Sequence, residues 1–392
     1  MNPLYTNMPT TIFEAISARA RATGAINLGQ GFPDSGWPDD ILHVAADALH
    51  SGSNQYPPMP GTPELRRAIA GHYRAHQGID LDWTTEITVT SGATEALAAA
   101  LLALITPGDE VILFQPMYDA YLPLVRRAGG VPVLVPLKPP HWQFDAAMLA
   151  AAFTPRTRVV LLNNPLNPSA STFDCAALDL LAGFVVASDA IVVADEVWEH
   201  LLYDGAVHTR VLAVPALRDR SVKIGSAGKI FALTGWKVGW MCAAPALSAP
   251  LAKAHQFLTF TTPPNLQAGV AHGLAKDAAW FAAMRHGFQA SRDRLVTGLT
   301  AAGYATLPSA ATWFVSIDLA ASGIGLDDVT AADRLLGAGV ATIPVSAFYA
   351  DNAVTSVLRL CFAKDDAVLD TGLARLAAAY PSLLRSTRFP QG

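Results

Sequence analysis

Residues 221–243, SVKIGSAGKIFALTGWKVGWMCA, contain two apolar runs typical of β-strands, SVKIGS and KVGWMCA, joined by a short glycine-containing segment. That segment also carries Lys229 and Lys237 close to Trp236 and Trp240. Large aromatic side chains are usually buried, whereas lysines usually lie on the surface or extend their ammonium groups to it. The alternative is a lysine held inside the protein, where its pKa and nucleophilicity can be tuned. The rest of the chain has to distinguish these two interpretations.

Five further apolar runs precede this stretch, namely EITVTSG, DEVILF, VPVLVPL, RVVLLNN and AIVVADEV. Helix-length segments such as ATEALAAALLALI and DCAALDLLAGFVVAS lie between several of them. This alternation predicts an α/β fold with a mostly parallel, seven-stranded sheet and helices on both of its faces. Because the last two strands lie so close together in sequence, one of them is expected to run antiparallel to its neighbours.

The pattern changes after about residue 245, where it becomes largely helical. Three short strand-like runs follow, ATWFVSID, VATIPV and VLRLCFA. This indicates a second, smaller α+β domain. We expect residues 45–280 to form a large domain, and residues 1–44 and 281–392 to form the small one.

Composition and charge exclude several classes of protein. The chain of 392 residues has a net charge of -5 and no Lys/Arg cluster, which argues against nucleic-acid binding. The apolar run ALAAALLALI is too short to span a bilayer, and the N-terminal residues do not resemble a secretory signal, so we expect a cytoplasmic location. Cys175, Cys242 and Cys361 are odd in number and far apart, which indicates no disulfide framework. His72 and His76 lack the Glu of a zinc-binding H-E-x-x-H motif, so no metal site is expected.

Polar residues follow several of the predicted strands, at the edge of the sheet where open α/β proteins bind ligands. In SGATEAL, the residues Ser91, Gly92, Ala93 and Thr94 lie between a strand and a helix. They could bind a phosphate at the helix N-terminus, or they could form an ordinary helix cap.

Two more strand ends carry amide or carboxylate groups. Asn167 precedes a proline in NPLNPSAS, and this is either an ordinary Asn-Pro turn or a loop that fixes the amide. Asp195 follows a buried strand, where a carboxylate needs either a structural ion-pair partner or a protonated heterocycle. In SAGK, Ser226 and Lys229 share one turn; the segment is not a Walker A loop, because residue 223 is Lys rather than Gly.

The order of these elements resembles that of the class I/II aminotransferases, the pyridoxal-phosphate enzymes of fold type I. The resemblance extends over nearly the whole chain and includes INLGQGFPD, NQYPPMPGTPELR, GDEVILFQPMYDAY, SAGK with TGWKVGW, and LRLCFAKDD. Within the family, the chain is similar to the kynurenine/glutamine aminotransferase branch. NPSAS, TIFEAIS and HQFLTFTTP most resemble the bacterial methionine aminotransferases.

The resemblance implies roles in cofactor binding. It implies that Lys229 is the catalytic lysine that attaches pyridoxal phosphate, that Asp195 pairs with the ring nitrogen, and that Asn167 contacts the phenolate oxygen. Tyr118 is expected to stack on the ring. The family usually has DEVY where this chain has DEVW, so Trp198 either replaces the tyrosine as hydrogen-bond donor or leaves that bond unmade. The expected phosphate ligands are Gly92, Ala93, Thr94, Ser226 and Lys237, with Tyr56 from the neighbouring subunit of a homodimer.

The resemblance also implies a substrate site in which Arg359 binds the α-carboxylate, assisted by Gly31 and Asn167. Phe13, Phe260 and Phe348, together with Tyr118, are candidates for an apolar side-chain pocket. The function expected is ping-pong transamination between an apolar, aromatic or sulfur-containing L-amino acid, of the methionine, phenylalanine, kynurenine or glutamine type, and a 2-oxo acid.

Two alternatives remain open from the sequence. A C–S β-lyase on the same fold would share the early steps and then expel a group from Cβ. A non-catalytic regulator with an aminotransferase-like domain would need a DNA-binding segment, and the residues before INLGQGFP are too few to supply one.

Overall fold

The computed structural model describes residues 1, 3–6 and 8–384. Its helices, numbered in chain order, are α1 (Pro3–Thr6), α2 (Ile12–Thr23), α3 (Asp39–Ser51), α4 (Pro63–Gln77), α5 (Ala93–Leu104), α6 (Tyr121–Arg127), α7 (Ala146–Ala152), α8 (Cys175–Ser188), α9 (Ala227–Ile230), α10 (Pro245–Leu258), α11 (Pro264–Leu274), α12 (Ala278–Ala301), α13 (Asp328–Gly337) and α14 (Asp366–Leu384). Its strands are β1 (Ile26–Asn27), β2 (Ile87–Thr90), β3 (Glu110–Gln115), β4 (Val131–Pro136), β5 (Thr157–Asn163), β6 (Ile191–Asp195), β7 (Ser221–Ser226), β8 (Gly239–Ala243), β9 (Ala305–Thr306), β10 (Phe314–Asp318), β11 (Val340–Ala341), β12 (Ile343–Pro344) and β13 (Val357–Cys361).

The central sheet has seven strands in the order β2-β8-β7-β6-β5-β3-β4. Strand β8 pairs antiparallel with both β2 and β7, whereas the other neighbours in the sheet run parallel. The expected mostly parallel sheet is therefore confirmed. Strand β8 is reversed because only a short segment separates it from β7, too short for the crossover that parallel neighbours require.

Successive residues of the central strands pack into opposite layers. Val111 and Leu113 of β3 join the cluster that contains Leu97 of α5, whereas Ile112 joins the cluster that contains Leu178 of α8. The strands are apolar throughout because both faces of the sheet are covered. The carboxyl ends of the strands are thereby left as the place where polar side chains can converge.

The remaining strands form two smaller sheets. Strands β12, β13, β10 and β9 make an antiparallel sheet, and β1 pairs parallel with β11 through Ile26 and Val340. Ile16 of α2 packs in a cluster with Ala341 and Phe348. The N-terminal segment thus packs on the C-terminal part of the chain. The division into two domains, with boundaries at residues 44 and 280, stays a prediction, and residues 385–392 lie outside the described part.

Within the described ranges, no helix combines the length and the apolar character that crossing a membrane requires.

Candidate active site

Strand register brings the polar strand ends together. Ser226, the last residue of β7, and Thr90, the last residue of β2, both pair with Gly239 at the start of β8. Asn163 and Asp195 pair with each other at the ends of β5 and β6. Segments that are far apart in the sequence therefore open onto one edge of the sheet.

A cavity of ≈ 160 Å³ lies at this edge. Its lining includes these residues predicted from the sequence: Gly92, Ala93, Thr94, Tyr118, Asn167, Asp195, Trp198, Ser226, Lys229 and Lys237. Leu97, Tyr121, Asn163, Val197, Gly228 and Thr234 complete it. We call it the Lys229 cavity.

One end of the Lys229 cavity is suited to an anion. Gly92 precedes α5 with a φ of 80° and has no side chain that could cap the helix. The N-terminal amides of the helix therefore remain available to a ligand in the cavity. A Cβ atom on Gly92 would lie 3.3 Å from Lys237 Nζ. A cation, a helix N-terminus and the Ser226 hydroxyl thus line the same end, which is a donor set for a phosphate.

Lys229 follows β7 in the short helix α9 and is partly exposed to the cavity. Its Nζ lies 5.0 Å from the Trp198 ring centroid and 5.4 Å from the Trp313 ring centroid. Burial lowers the pKa of this amine to about 8, against the opposing effect of Asp195. An amine with such a pKa is partly unprotonated near neutral pH, so it can act as a nucleophile or a base.

Asp195 is a buried carboxylate that also lines the cavity, and it is only 5% exposed. Tyr121 Oη donates a hydrogen bond of 2.6 Å to Asp195 Oδ2. Burial raises the pKa of Asp195, and the hydrogen bond from Tyr121 opposes that rise. Sequence reasoning missed Tyr121, although it lies three residues after Tyr118 in the quoted MYDAY segment.

Asn167 and Arg359 meet on another side of the cavity. Arg359 Nη1 donates to Asn167 Oδ1 at 3.0 Å, and Arg359 Nη2 donates to the Gly29 carbonyl at 2.8 Å. The backbone N–H of Asn167 donates to Asn163 Oδ1 at 2.9 Å, which fixes the loop. Gly31 is close to Arg359, since a Cβ there would lie 3.9 Å from Nη2.

Arg359 is almost fully buried among aromatic rings. The Phe314, Phe348 and Phe13 ring centroids lie 4.0, 5.1 and 5.2 Å from its guanidinium carbon. Burial lowers the pKa of Arg359 to about 9, and the residue therefore remains cationic at neutral pH. Its Nε has no hydrogen-bond partner among the described residues. A buried cation with unused donor capacity suits a carboxylate ligand.

Tyr56 and Phe260, both expected near the cofactor or substrate, do not line the Lys229 cavity of their own chain. Their exposed fractions are 81% and 40%, and their ring centroids lie 5.4 Å apart in an edge-to-face contact. Phe257, 85% exposed, lies on the same segment as Phe260. Tyr56 and Phe260 thus form an exposed aromatic pair.

Glu196, Glu199 and His208 are the one group of described residues whose oxygen and nitrogen atoms lie close enough to bind a metal ion. Lys223 Nζ already contacts both carboxylates, at 2.8 Å from Glu199 and closer still to Glu196. Burial raises the pKa of Glu196, but Lys223 and His208 outweigh it and bring the value to about 2. The ammonium thus satisfies this group as an ion-pair network.

The residues of the Lys229 cavity fit pyridoxal phosphate. The Gly92, Ser226 and Lys237 end matches the phosphate group, and the buried Asp195 carboxylate matches a protonated ring nitrogen. Tyr118 adds an aromatic ring to the same lining, and Lys229 adds an amine with lowered pKa.

The chain is similar to proteins of one known family. The chain matches the family "Aminotransferase class I and II" over residues 23–376. It is 43% identical to the probable N-succinyldiaminopimelate aminotransferase of Mycobacterium tuberculosis, covering 94% of this chain and 96% of the relative. It is 42% identical to the methionine aminotransferase of Escherichia coli, covering 94% and 95%. The solved structure of the Mycobacterium tuberculosis N-succinyldiaminopimelate aminotransferase matches with a TM-score of 0.93 at 42% identity, covering 97% of this chain and 100% of that chain. The chain belongs to the class I and II aminotransferases.

Proposed function

We propose that this aminotransferase uses pyridoxal phosphate, attached to Lys229, to exchange an amino group between an L-amino acid and a 2-oxo acid. The observation that carries the proposal is the pairing, within one cavity, of an amine of lowered pKa with a buried carboxylate, Asp195. When bound, the cofactor supplies a ring that withdraws electrons from the substrate Cα–H bond.

The residues around the cavity hold that ring at both ends. The amides of Ala93 and Thr94, with Ser226 and Lys237, bind the phosphate, and Gly92 leaves room for the lysine. At the other end, Asp195 remains ionised and keeps the ring nitrogen protonated.

Three more residues orient the ring between these ends. Tyr118 covers one face, and the Asn167 amide faces the phenolate oxygen. Trp198 takes the place of the usual tyrosine, held edge-on against Trp313 at 5.0 Å. An indole in this position excludes water from the Lys229 amine.

Arg359 binds the substrate α-carboxylate in this proposal. Its contacts with Asn167 and Gly29 hold the guanidinium in place, and Gly31 lets the backbone approach. With the carboxylate held there, the substrate Cα lies toward Lys229. Once the substrate amine has displaced it, Lys229 Nζ would remove the Cα proton as a general base and deliver it to the carbon on the other side of the substrate nitrogen.

We infer that the amino donor is apolar, aromatic or sulfur-containing. Phe13 and Phe348 pack edge to face at 5.7 Å beside Arg359 and would contact such a side chain. One relative is named for methionine, which agrees with this inference, and the other is named for N-succinyldiaminopimelate.

A panel of donors with several 2-oxo acids tests this inference. Methionine and phenylalanine should have higher kcat/KM than aspartate, glutamate and N-succinyldiaminopimelate. A preference for N-succinyldiaminopimelate or aspartate would contradict the proposed substrate class while leaving transamination intact. Pyruvate release from cysteine S-conjugates without a 2-oxo acid would instead favour the β-lyase alternative, which the names of these relatives do not support.

We further propose a homodimer in which the exposed pair Tyr56 and Phe260 reaches the neighbouring subunit's cavity. Exposed aromatic side chains such as this pair and Phe257 are of the kind that protein interfaces cover. A Lys229→Ala chain mixed with a Tyr56→Phe chain should form heterodimers with one fully intact site and regain part of the activity. Unchanged cofactor affinity in Tyr56→Phe would contradict the cross-subunit contact.

The attachment site has a direct test. Borohydride reduction of the protein with bound cofactor, followed by peptide mass spectrometry, should place the label on Lys229. A label on Lys237 would overturn the assignment.

A further inference from the structure

A second cavity, of ≈ 400 Å³, lies between the end of α4, residues 199–210 and the first half of α12. It shares no lining residue with the Lys229 cavity. Its basic and titratable lining residues are His76, His200, His208, His286, Arg210 and Arg285. We call it the histidine cavity. Its volume falls within the range of small-molecule sites.

Each of the two acidic residues of its lining has a cationic partner. Glu199 contacts Lys223 at 2.8 Å and accepts a hydrogen bond of 3.0 Å from Tyr73 Oη. Asp204 receives two hydrogen bonds from Arg292, at 2.6 and 2.8 Å. Lys223 also contacts Glu196, and Arg292 also contacts Asp293, so each of these cations is shared between two carboxylates.

The arginines have no such partner. Arg285 is half-buried, and no described residue forms an ion pair or a hydrogen bond with it. Burial alone lowers its pKa. Arg210 Nη1 donates to the Gln77 carbonyl oxygen, which is a neutral acceptor. Arg210 and Arg285 are therefore lining cations with no carboxylate partner among the described residues.

The histidines surround this charge. The rings of His76 and His200 lie 5.8 Å apart, and both pack on Phe281, at 4.8 and 4.6 Å. Burial lowers the pKa of His76, and the Arg285 guanidinium lowers it further. His208 Nδ1 is buried with no hydrogen-bond partner among the described residues. A bound anion would oppose the effect of Arg285 and raise the pKa of His76.

We propose that the histidine cavity binds a small dianion, either inorganic phosphate or a short dicarboxylate, with Arg285 as its principal ligand. A guanidinium presents paired N–H donors to the oxygens of a phosphate or a carboxylate. The two candidate anions share this chemistry and differ in shape, so each can be titrated separately.

The test is isothermal titration calorimetry of the full chain, saturated with pyridoxal phosphate and dialysed, against inorganic phosphate and, separately, succinate. The variants are Arg285→Gln and, as a control of equal charge, Arg127→Gln, an exposed arginine for which the structure shows no ion pair. Loss of one charge-assisted contact weakens binding by roughly ten- to a hundredfold. We expect that loss in Arg285→Gln and unchanged binding in Arg127→Gln.

If Arg285→Gln weakens the binding of phosphate alone, phosphate is the ligand. If it weakens the binding of succinate, the ligand is a dicarboxylate. Succinate that bound at Arg359 would bind both variants with the same affinity. It would therefore not produce the expected difference between Arg285→Gln and Arg127→Gln. The proposal is overturned if neither anion binds the wild type, or if Arg285→Gln binds both anions as tightly as Arg127→Gln. Circular dichroism checks that both variants are folded.

Discussion

The Tyr121 hydroxyl is expected to keep Asp195 ionised, and Tyr121→Phe removes that single oxygen. Both residues are buried, and their hydrogen bond is 2.6 Å long. Burial raises the pKa of the Asp195 carboxyl, and the hydrogen bond from Tyr121 opposes this rise. Without the hydroxyl, the pKa should therefore move further upward.

The expected size follows from the type of bond. A hydrogen bond to a charged group contributes about 1.5–3 kcal/mol, and 1.36 kcal/mol corresponds to one pKa unit. Tyr121→Phe should thus raise the pKa of Asp195 by about one to two units. As pH falls, the carboxylate would be protonated earlier and would lose its attraction for a protonated ring nitrogen.

The measurement is a titration of the apoenzyme with pyridoxal phosphate at several pH values between about 5 and 9. Tryptophan fluorescence reports the binding and gives the dissociation constant at each pH. The pH at which affinity falls on the acidic side should be about one to two units higher in Tyr121→Phe. Tyr304→Phe is the matched control, because Tyr304 is equally buried but donates to the Leu376 carbonyl, away from the cavity. If the affinity for the cofactor falls at the same acidic pH in the two variants, Tyr121 does not control the pKa of Asp195.

The same bond predicts how the stability of the apoenzyme depends on pH. A carboxyl with a raised pKa binds its proton more tightly in the folded state, so stability decreases as pH rises through that pKa. Tyr121→Phe should therefore destabilise the apoenzyme by about 1.5–3 kcal/mol at pH 7, and by less at pH 4 to 5. Urea unfolding at both pH values measures this, and an equal loss at both would contradict it.

Three further predictions concern single residues. Lys223→Met leaves two buried carboxylates without their cation and should lower the free energy of unfolding by about 3–5 kcal/mol in urea melts, whereas Lys253→Met, at an exposed lysine, should change it little. Gly92→Ala forces an L-residue to a φ of 80°, which costs about 1–2 kcal/mol, and should weaken cofactor binding in a fluorescence titration; unchanged affinity would contradict the phosphate assignment. Trp198→Leu removes one ring beside the Lys229 amine and should lower its pKa in the apoenzyme by about half a unit, measured from the pH dependence of labelling by an amine-specific reagent; an unchanged pKa would exclude the cation–π contribution.

The sequence by itself determined the large sheet and much of its edge. Seven apolar runs predicted the seven strands, and the short segment between the last two predicted that one would be antiparallel. Asn167, Asp195 and Lys229 could be singled out because each follows a strand or its turn, and parallel strands end at one edge of a sheet. Both inferences use local periodicity, which depends only on neighbouring residues.

Only the tertiary structure decided which distant residues meet. Tyr121 contacts Asp195 across 74 positions of sequence, because the fold brings the start of α6 against the end of β6. Lys223 alternates with apolar residues like an exposed strand residue, yet it is buried, since helices cover both faces of this sheet. Arg285 lies in a helix whose sequence does not mark it as different from its neighbours. Its lack of a partner depends on which elements pack around it, and strand order and helix packing decide this rather than any local pattern.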